Sequence, residues 1–331
     1  MKIQRHLAPT AAPLSWVDLL KGLSGLIYGN EVKRKLKHEL KKYFGVKHVF
    51  LFTSGKAALT TILNALKSGS SRRQVIIPAY TCFSVPSSVV KAGLQVALCD
   101  VDPKTLDFDP IGLKETVGRE TLAIVTPHLL GRPADTGVIR GFAQETGAFV
   151  VEDAAQAMGG RQKGHWLGTR GDVGFFSLGR GKNISAGSGG VIVTNSDQLG
   201  EAVRREYEKL PSESVMTAIL NFLTVAATTI LIHPNMYWLP AGLPFLGLGE
   251  TRFHADFPIR RMDGIRAGLL TSWRNRLEES NKNRVDMAER VMKKLPGYPY
   301  RIWLNQQDMG SPLRLPLLMP TIEGKTSLCS L

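Results

Sequence analysis

The sequence Ala148-Phe149-Val150-Val151-Glu152-Asp153-Ala154-Ala155-Gln156-Ala157 joins a short apolar run to two carboxylates and a polar turn. The run over residues 148–152 predicts a buried strand that ends at Asp153. An Asp at such a place is often only a helix cap. In open α/β sheets, however, ligands bind at the carboxyl ends of parallel strands, so Asp153 and Gln156 are candidate site residues.

Strands and helices alternate on both sides of this stretch. Apolar, β-branched runs predict strands at residues 48–52, 74–78, 95–100, 122–127, 148–152, 174–177 and 190–194. Periodic apolar patterns predict a basic amphipathic helix at 31–44, a helix that opens at 53–55 and runs through 66, and helices at 84–92 and 135–146. This alternation is typical of an α/β fold whose mostly parallel sheet is covered by helices on both faces.

Polar residues collect where the predicted strands end. The segments Thr53-Ser54-Gly55 and Tyr80-Thr81, the single residue His128, and residues 153–156 all follow apolar runs. Because the carboxyl ends of parallel strands meet at one edge of a sheet, this clustering predicts one ligand site at that edge.

A lysine follows a glycine-rich turn in Phe175-Phe176-Ser177-Leu178-Gly179-Arg180-Gly181-Lys182-Asn183. Such a lysine is usually a solvated surface residue. Lys182, however, lies 29 positions after Asp153. A lysine that holds pyridoxal phosphate (PLP) as a Schiff base, with an acidic residue on the pyridine nitrogen, is the recurring protein contribution to that cofactor. The pair therefore indicates a PLP enzyme.

The composition of the chain narrows the class of protein. A length of 331 residues with 43% hydrophobic residues suits a large domain and a smaller one. Three cysteines and seven scattered histidines show neither disulfide nor metal-ligand spacing, so we expect no metal and a cytoplasmic location. The net charge of +14 favours anionic partners. No zinc-finger or recognition-helix signature supports a nucleic-acid partner.

Taken together, the chain resembles the PLP-dependent sugar aminotransferases of the DegT/DnrJ/StrS type. The match is close over residues 29–205 and loose over 260–295. It rests on five segments in order, which are residues 53–59, 77–81, 99–103, 127–135 and 152–194. The resemblance implies a fold-type-I PLP-dependent transferase, homodimeric, with active sites at the subunit interface.

The resemblance also implies a role for each candidate residue. Lys182 would form the Schiff base and then move the substrate proton, and Asp153 would keep the pyridine nitrogen protonated. Gln156 would lie near the phenolic oxygen of the ring. Ser54 and Gly55 would hold the phosphate at a helix N-terminus, with Ser177 as a second hydroxyl, although both serines also fit ordinary capping or strand-end positions.

The chain departs from the family pattern at three places. Lys56 stands where many members have Thr, and its ammonium group could take over at the phosphate. Cys82, close to Tyr80 and Phe83, stands where many members stack Trp or Phe on the cofactor. The sequence Gly187-Ser188-Gly189-Gly190 replaces the usual Gly-Glu-Gly-Gly. The predicted cofactor site thus includes Lys56, Tyr80 and Cys82, with the stacking partner left open.

We expect a large PLP-binding domain over residues 1–258 and a small C-terminal domain over 259–331, which is incomplete beside the fuller domain of family members. No Lys, Arg, Asp or Glu occurs over residues 214–249. This apolar insertion is open to three interpretations: a single membrane span, a buried core or dimer helix, or an exposed flap on the membrane surface. Its aromatic pair Tyr237-Trp238 and basic flanks fit an interfacial element.

The predicted reaction is transamination, with glutamate or glutamine as the amino donor and a keto-sugar nucleotide as the acceptor, for surface polysaccharide or glycoconjugate synthesis. The alternative is a truncated, non-catalytic PLP-binding relative with a binding or regulatory role. A sugar dehydratase of the same fold is disfavoured because those enzymes lack the Schiff-base lysine. A nucleotide-binding glycine loop is excluded, since residues 176–183 do not fit G-x-x-x-x-G-K-[ST].

Overall fold

The computed structural model describes residues 14–243, 253–294 and 311–316 of the chain. The strands are β1 His48–Phe52, β2 Gln74–Pro78, β3 Gln95–Cys99, β4 Thr121–Pro127, β5 Phe149–Asp153, β6 Arg161–Gln162, β7 His165–Trp166, β8 Val173–Ser177 and β9 Gly190–Thr194. The helices are α1 Trp16–Phe44, α2 Gly55–Ser68, α3 Ser84–Lys91, α4 Pro110–Thr116, α5 Thr136–Thr146, α6 Asp197–Lys209, α7 Val215–Leu231, α8 Trp238–Ala241, α9 Gly264–Leu269 and α10 Trp273–Lys293.

A seven-stranded sheet forms the centre of the fold, in the order β1-β9-β8-β5-β4-β2-β3. The central run from β8 through β5, β4 and β2 to β3 is parallel, while β9 runs against both of its neighbours. The prediction of an α/β fold with a mostly parallel sheet is confirmed. Each of the seven predicted strands lies within one residue of its expected bounds.

Alternate residues of each strand divide the core into two layers, as the pleat of a strand requires. In β1, Val49 and Leu51 face the layer built from α1, α9 and α10. Phe50 and Phe52 face the opposite layer, which contains α2, α3 and α6. The helices therefore cover both faces of the sheet, and the polar strand ends are left at its edge.

Helix α1 begins at Trp16, whereas the sequence pattern predicts a helix only from residue 31. The first half contains Gly22, Gly25 and Gly29. Glycine has a low helix propensity, so the sequence pattern does not predict a helix there. These glycines let α1 touch the backbone of α9. A Cβ atom added at Gly25 would lie 2.0 Å from the carbonyl oxygen of Gly264, and one at Gly29 would lie 2.9 Å from its Cα.

Because of this contact, adding one methyl group at Gly25 should lower the stability of the protein strongly. In Gly25→Ala the new methyl group meets a backbone carbonyl, so α1 and α9 must separate, and we expect about 3 kcal/mol of lost stability in urea unfolding. The matched control is Gly141→Ala in α5, where the Cβ atom meets open space. The Gly141→Ala variant should gain about 0.5–1 kcal/mol of stability, because alanine is the better helix former. Equal stability of the two variants would contradict the packing account.

The residues after 259 are joined to α1 by specific contacts. Trp273 and Leu277 of α10 are buried in the same core layer as α1. The indole Nε1–H of Trp273 donates to Glu39 at 2.9 Å, and Arg276 forms an ion pair with the buried Asp18 at 3.7 Å. The division of the chain at residue 258 stays a prediction, and residues 295–310 and 317–331 lie outside the described part.

The uncharged segment 214–249 forms helix α7 and the short α8, and its residues 244–249 lie outside the described part. Ala218 and Phe222 are buried against the core, while Val215, Met216, Leu220 and Leu223 are exposed. Helix α7 thus has one packed face and one outward apolar face. Within residues 14–243, 253–294 and 311–316, no helix is long and apolar enough to cross a membrane.

Candidate active site

Asp153 is the last residue of β5, and its neighbours in the sheet hold it on both sides. The backbone N–H of His128, which follows β4, donates to the Asp153 carbonyl at 3.0 Å, and Phe175 of β8 pairs with Asp153 in register. The side chain is buried and accepts a hydrogen bond from the N–H of Ala155 at 3.0 Å. The predicted strand end therefore presents a fixed, buried carboxylate at the edge of the sheet.

Lys182 lies in the loop that follows β8 and interacts electrostatically with Asp153 and Cys82. Burial lowers the pKa of its ammonium group, and the nearby charge of Arg314 lowers it further, while Asp153 and Cys82 oppose the shift. Burial also raises the pKa of Asp153, against the hydrogen bond from Ala155 and the charge of Lys182. The two groups thus form a partly desolvated amine and carboxylate pair.

Ser54, Gly55 and Ser177 come together beside the start of α2. The Ser54 hydroxyl accepts from the N–H of Ala57 at 3.1 Å, as a helix N-cap does, and keeps its own proton to donate. A Cβ atom on Gly55 would lie 3.3 Å from the Ser177 hydroxyl. Both hydroxyls therefore lie at the N-terminus of α2, where backbone N–H groups and the helix dipole favour an anion.

The other predicted residues occupy different places around this edge. The side-chain carbonyl of Gln156 accepts from the N–H of Leu130 at 3.0 Å, which leaves its amide group as the donor. The Lys56 ammonium group lies over the ring of Phe257, 4.3 Å from its centroid. Tyr80 is 60% exposed, and Cys82 is partly buried. The part played by Lys56, Tyr80 and Cys82 stays a prediction.

A buried histidine and glutamate lie next to the site. His128 was among the polar strand-end residues expected at this edge, without an assigned role, whereas Glu152 was not expected to be a site residue. His128 Nε2 lies 2.7 Å from Glu152 Oε2, and both side chains have no solvent exposure. The His128 Nδ1 accepts from the N–H of Ala134 at 3.1 Å, so the proton is on Nε2 and is donated to Glu152. The position of Glu152 in β5, directly before Asp153, is the signal that could have found it.

Glu152 also gathers the loop that leads into β8. Its carboxylate accepts from the N–H of Gly168 at 2.8 Å and from those of Arg170 and Gly171. Burial alone would raise the pKa of Glu152, but the hydrogen bonds from His128 and these N–H groups outweigh it, so the pKa is lowered. The carboxylate is therefore charged and fully bonded at neutral pH, as a buried charge requires.

Replacing this carboxylate should weaken the fold. In Glu152→Gln an amide N–H₂ group would face backbone donors, and we expect about 3 kcal/mol of lost stability at pH 7. Because the folded pKa is lowered, this stabilisation is present above the unfolded pKa of about 4.3 and is lost as the pH falls below it. Urea unfolding from pH 7 to pH 3 should thus show the difference between wild type and variant shrinking in acid.

The exposed residue Glu145 provides the control for that series. Glu145→Gln should change stability by less than about 0.5 kcal/mol at any of these pH values. A Glu152→Gln protein as stable as wild type at pH 7, or a difference that grows in acid, would contradict the proposed hydrogen-bond network.

The loop that carries Lys182 is also tied to α10 and to the segment at 311. The buried Asn183 donates to Asn281 at 2.9 Å and to Ser311 at 3.0 Å. Arg284 donates to the Lys182 carbonyl at 3.4 Å. These partners lie about a hundred positions or more away in sequence, and no sequence signal pointed to them. They fix the backbone at Lys182 and at the residue that follows it.

The chain matches the DegT/DnrJ/EryC1/StrS aminotransferase family over residues 18–217, which is more than half of its length. It belongs to this family. The family is PLP-dependent, and the matched range contains Asp153 and Lys182 together with Ser54 and Ser177.

Three curated relatives align with a little more than half of this chain, and the chain spans about half the length of each relative. A pleiotropic regulatory protein of Geobacillus stearothermophilus is 36% identical over 57% of this chain and 50% of its own. A UDP-N-acetyl-3-dehydro-alpha-D-glucosamine 3-aminotransferase of Acidithiobacillus ferrooxidans is 33% identical over 61% and 55%. An L-glutamine:2-deoxy-scyllo-inosose aminotransferase of Streptoalloteichus tenebrarius is 34% identical over 54% and 42%.

Solved structures confirm the fold of the family aminotransferases over nearly the whole chain. The sugar aminotransferase CalS13 of Micromonospora echinospora has a TM-score of 0.74 at 22% identity, covering 94% of this chain and 80% of its own. The E. coli GDP-4-keto-6-deoxy-D-mannose-3-dehydratase with bound hydrated PLP has a TM-score of 0.71 at 19% identity, covering 98% and 83%. At such identities the likeness is one of fold.

Proposed function

We propose that this chain is a PLP-dependent aminotransferase that uses Lys182 and Asp153 as its catalytic residues. The observation that carries the proposal is the pairing of Lys182 with Asp153: a partly buried amine with a lowered pKa interacts electrostatically with a buried carboxylate fixed at the end of β5. A lysine whose pKa is lowered by burial is an effective nucleophile and base near neutral pH. When bound, PLP supplies an electron sink for the carbanion at the substrate Cα.

The residues present fit this cofactor in chemistry and in placement. Lys182 would hold the cofactor through its amine and would carry the proton to and from the substrate Cα. Asp153 would accept a hydrogen bond from the pyridine N–H and keep that nitrogen protonated. Ser54, Gly55 and Ser177 would hold the phosphate, and the lack of a side chain at Gly55 lets the start of α2 lie close against Ser177.

The substrates and setting extend the same proposal. We expect glutamate or glutamine as the amino donor and a keto-sugar nucleotide as the acceptor, because two of the curated relatives are named for amino transfer to a 3-dehydro (keto) sugar nucleotide and to a keto-inositol. We place the enzyme in surface polysaccharide or glycoconjugate synthesis, in the cytoplasm, as a homodimer. Peripheral contact with the inner face of the membrane through residues 214–249 is part of this proposal.

The cofactor assignment is tested by absorbance spectroscopy. The purified protein with added PLP should show a visible band that borohydride abolishes, and Lys182→Ala should lack that band while keeping its circular dichroism spectrum. Lys104→Ala, at an exposed lysine that is not among the predicted site residues, is the matched control and should behave as wild type. A wild-type protein without the band, or a Lys182→Ala protein that retains it, would contradict the proposal.

The non-catalytic alternative has one supporting observation, since a relative at 36% identity is named a pleiotropic regulatory protein. The amino-donor half-reaction separates the two functions. Glutamate or glutamine added to the PLP-bound protein should shift the visible band, and Asp153→Asn should slow that shift by at least about a hundredfold, because the neutral ring is a poorer electron sink. A stable band that no amino donor alters would favour the regulatory role.

A further inference from the structure

Two neighbouring helices carry more than half of the exposed large apolar side chains of the described residues. On α1 they are Trp16, Val17, Leu20, Leu23, Leu26, Ile27 and Tyr28. On α7 they are Val215, Met216, Leu220, Leu223 and Ile230. Gly22 of α1 faces Phe222 of α7, where an added Cβ atom would lie 3.2 Å from the ring. The outward sides of the two helices, named here the apolar face, therefore lie next to each other.

The apolar face carries almost no charge. Between residues 16 and 28 the charged side chains are Asp18 and Lys21. Asp18 is buried and paired with Arg276, and the Lys21 ammonium group donates to Ser272 at 2.9 Å. Residues 214–249 contain no Lys, Arg, Asp or Glu. An exposed apolar patch of this extent marks a protein or membrane contact site rather than a solvated surface.

The polar groups of α7 are bonded in a way that suits an apolar medium. The hydroxyls of Thr224, Thr228 and Thr229 donate to the carbonyls of Leu220, Thr224 and Val225 at 2.7–2.9 Å. Each of these threonines satisfies its hydroxyl within the helix. Because a buried polar group costs free energy unless it is hydrogen-bonded, the helix can leave water without an unpaired hydroxyl on these residues.

A cluster of cations follows the apolar part of α1 along the same helix. Lys33, Lys37 and Lys41 follow one another at four-residue spacing on α1, and Arg204 and Arg261 lie close enough to act on Lys37. Burial and these like charges lower the pKa of Lys37. The backbone N–H of Arg261 donates to the Pro211 carbonyl at 3.0 Å, four residues before α7 begins. These five residues are named here the cationic cluster.

Nearby acids do not cancel this charge. Asp263 acts on Lys33 but forms an ion pair with Arg266, and Glu201 lies 3.4 Å from Arg204. The cluster keeps a surplus of positive charge beside an uncharged apolar surface. An apolar helical face bordered by lysine and arginine is the arrangement of proteins that lie on anionic bilayers.

We propose that α1, α7 and the cationic cluster together form a docking surface for an anionic lipid bilayer. The helices would lie in the membrane interface, with their apolar face among the acyl chains and the cluster at the lipid phosphates. A second copy of this chain is a poorer occupant of this surface, because a two-fold contact would bring two cationic clusters into one interface. The inference rests on the proposed peripheral location and is independent of the catalytic assignment.

Sedimentation with lipid vesicles tests this surface. The PLP-loaded full chain should pellet with vesicles of phosphatidylcholine and phosphatidylglycerol, and much less with phosphatidylcholine alone. The double variant Ile27→Ser/Leu223→Ser should weaken binding to the mixed vesicles at least about tenfold, because it removes two large side chains from the acyl region. Its matched control is Leu98→Ser/Ile111→Ser, which changes two equally exposed side chains elsewhere and should bind as wild type.

The cationic cluster is tested with a triple variant and a matched triple control. Lys33→Gln/Lys37→Gln/Lys41→Gln should weaken binding to the mixed vesicles roughly tenfold to a hundredfold, since each lysine near an anionic surface contributes about 1 kcal/mol. Lys104→Gln/Lys114→Gln/Lys282→Gln, at exposed lysines elsewhere, should have little effect. All variants should keep the visible PLP band, so a failure of docking is distinguishable from a failure of the proposed enzyme.

Two outcomes would overturn the proposal. One is a wild-type chain that stays in solution with the mixed vesicles. The other is an Ile27→Ser/Leu223→Ser protein that binds vesicles as wild type but changes from dimer to monomer in light scattering, which would assign the apolar face to a second copy of the chain.

Discussion

The carboxylate of Glu152 is the group on which the site depends. Glu152 lies in the core with no solvent exposure, so its charged carboxylate must be stabilised by hydrogen bonds from the protein. Its four donors come from His128 and from the loop at residues 168–171. These bonds fix the end of β4 and the entry to β8 relative to β5. As a result Asp153, the next residue along the chain, and the loop of Lys182 meet at one place.

The sheet could be predicted from the sequence because its physical cause is local. A buried parallel strand needs a short apolar run, and each of the seven runs formed a strand within one residue of its expected bounds. The rule that strand ends share one edge predicted that Ser54 and Asp153 lie at the same edge of the sheet, whereas the place of Lys182 and Ser177 there was implied by the family resemblance. The chemical roles of these residues are a prediction. It rests on the family resemblance and on the burial of Asp153 and the partial burial of Lys182.

Other features could be found only in the folded structure. The first half of α1 was not predicted, because its glycines are poor helix formers and their use is a backbone contact with α9. The pairing of Asn183 with Asn281 and Ser311 joins residues far apart in sequence. The outward faces of α1 and α7 also become one surface only when the two helices pack together. In each case tertiary contact, rather than local propensity, decides the structure.

The most direct test of the account is the identity of the residue that holds the cofactor. The PLP-bound protein would be reduced with borohydride, digested and analysed by mass spectrometry for the peptide that carries the pyridoxyl group. We predict a single modified peptide that contains residues 181–183, with the modification on Lys182. Modification of Lys56 or of exposed lysines instead, or of no lysine at all, would contradict the assignment of the buried pair as the cofactor site.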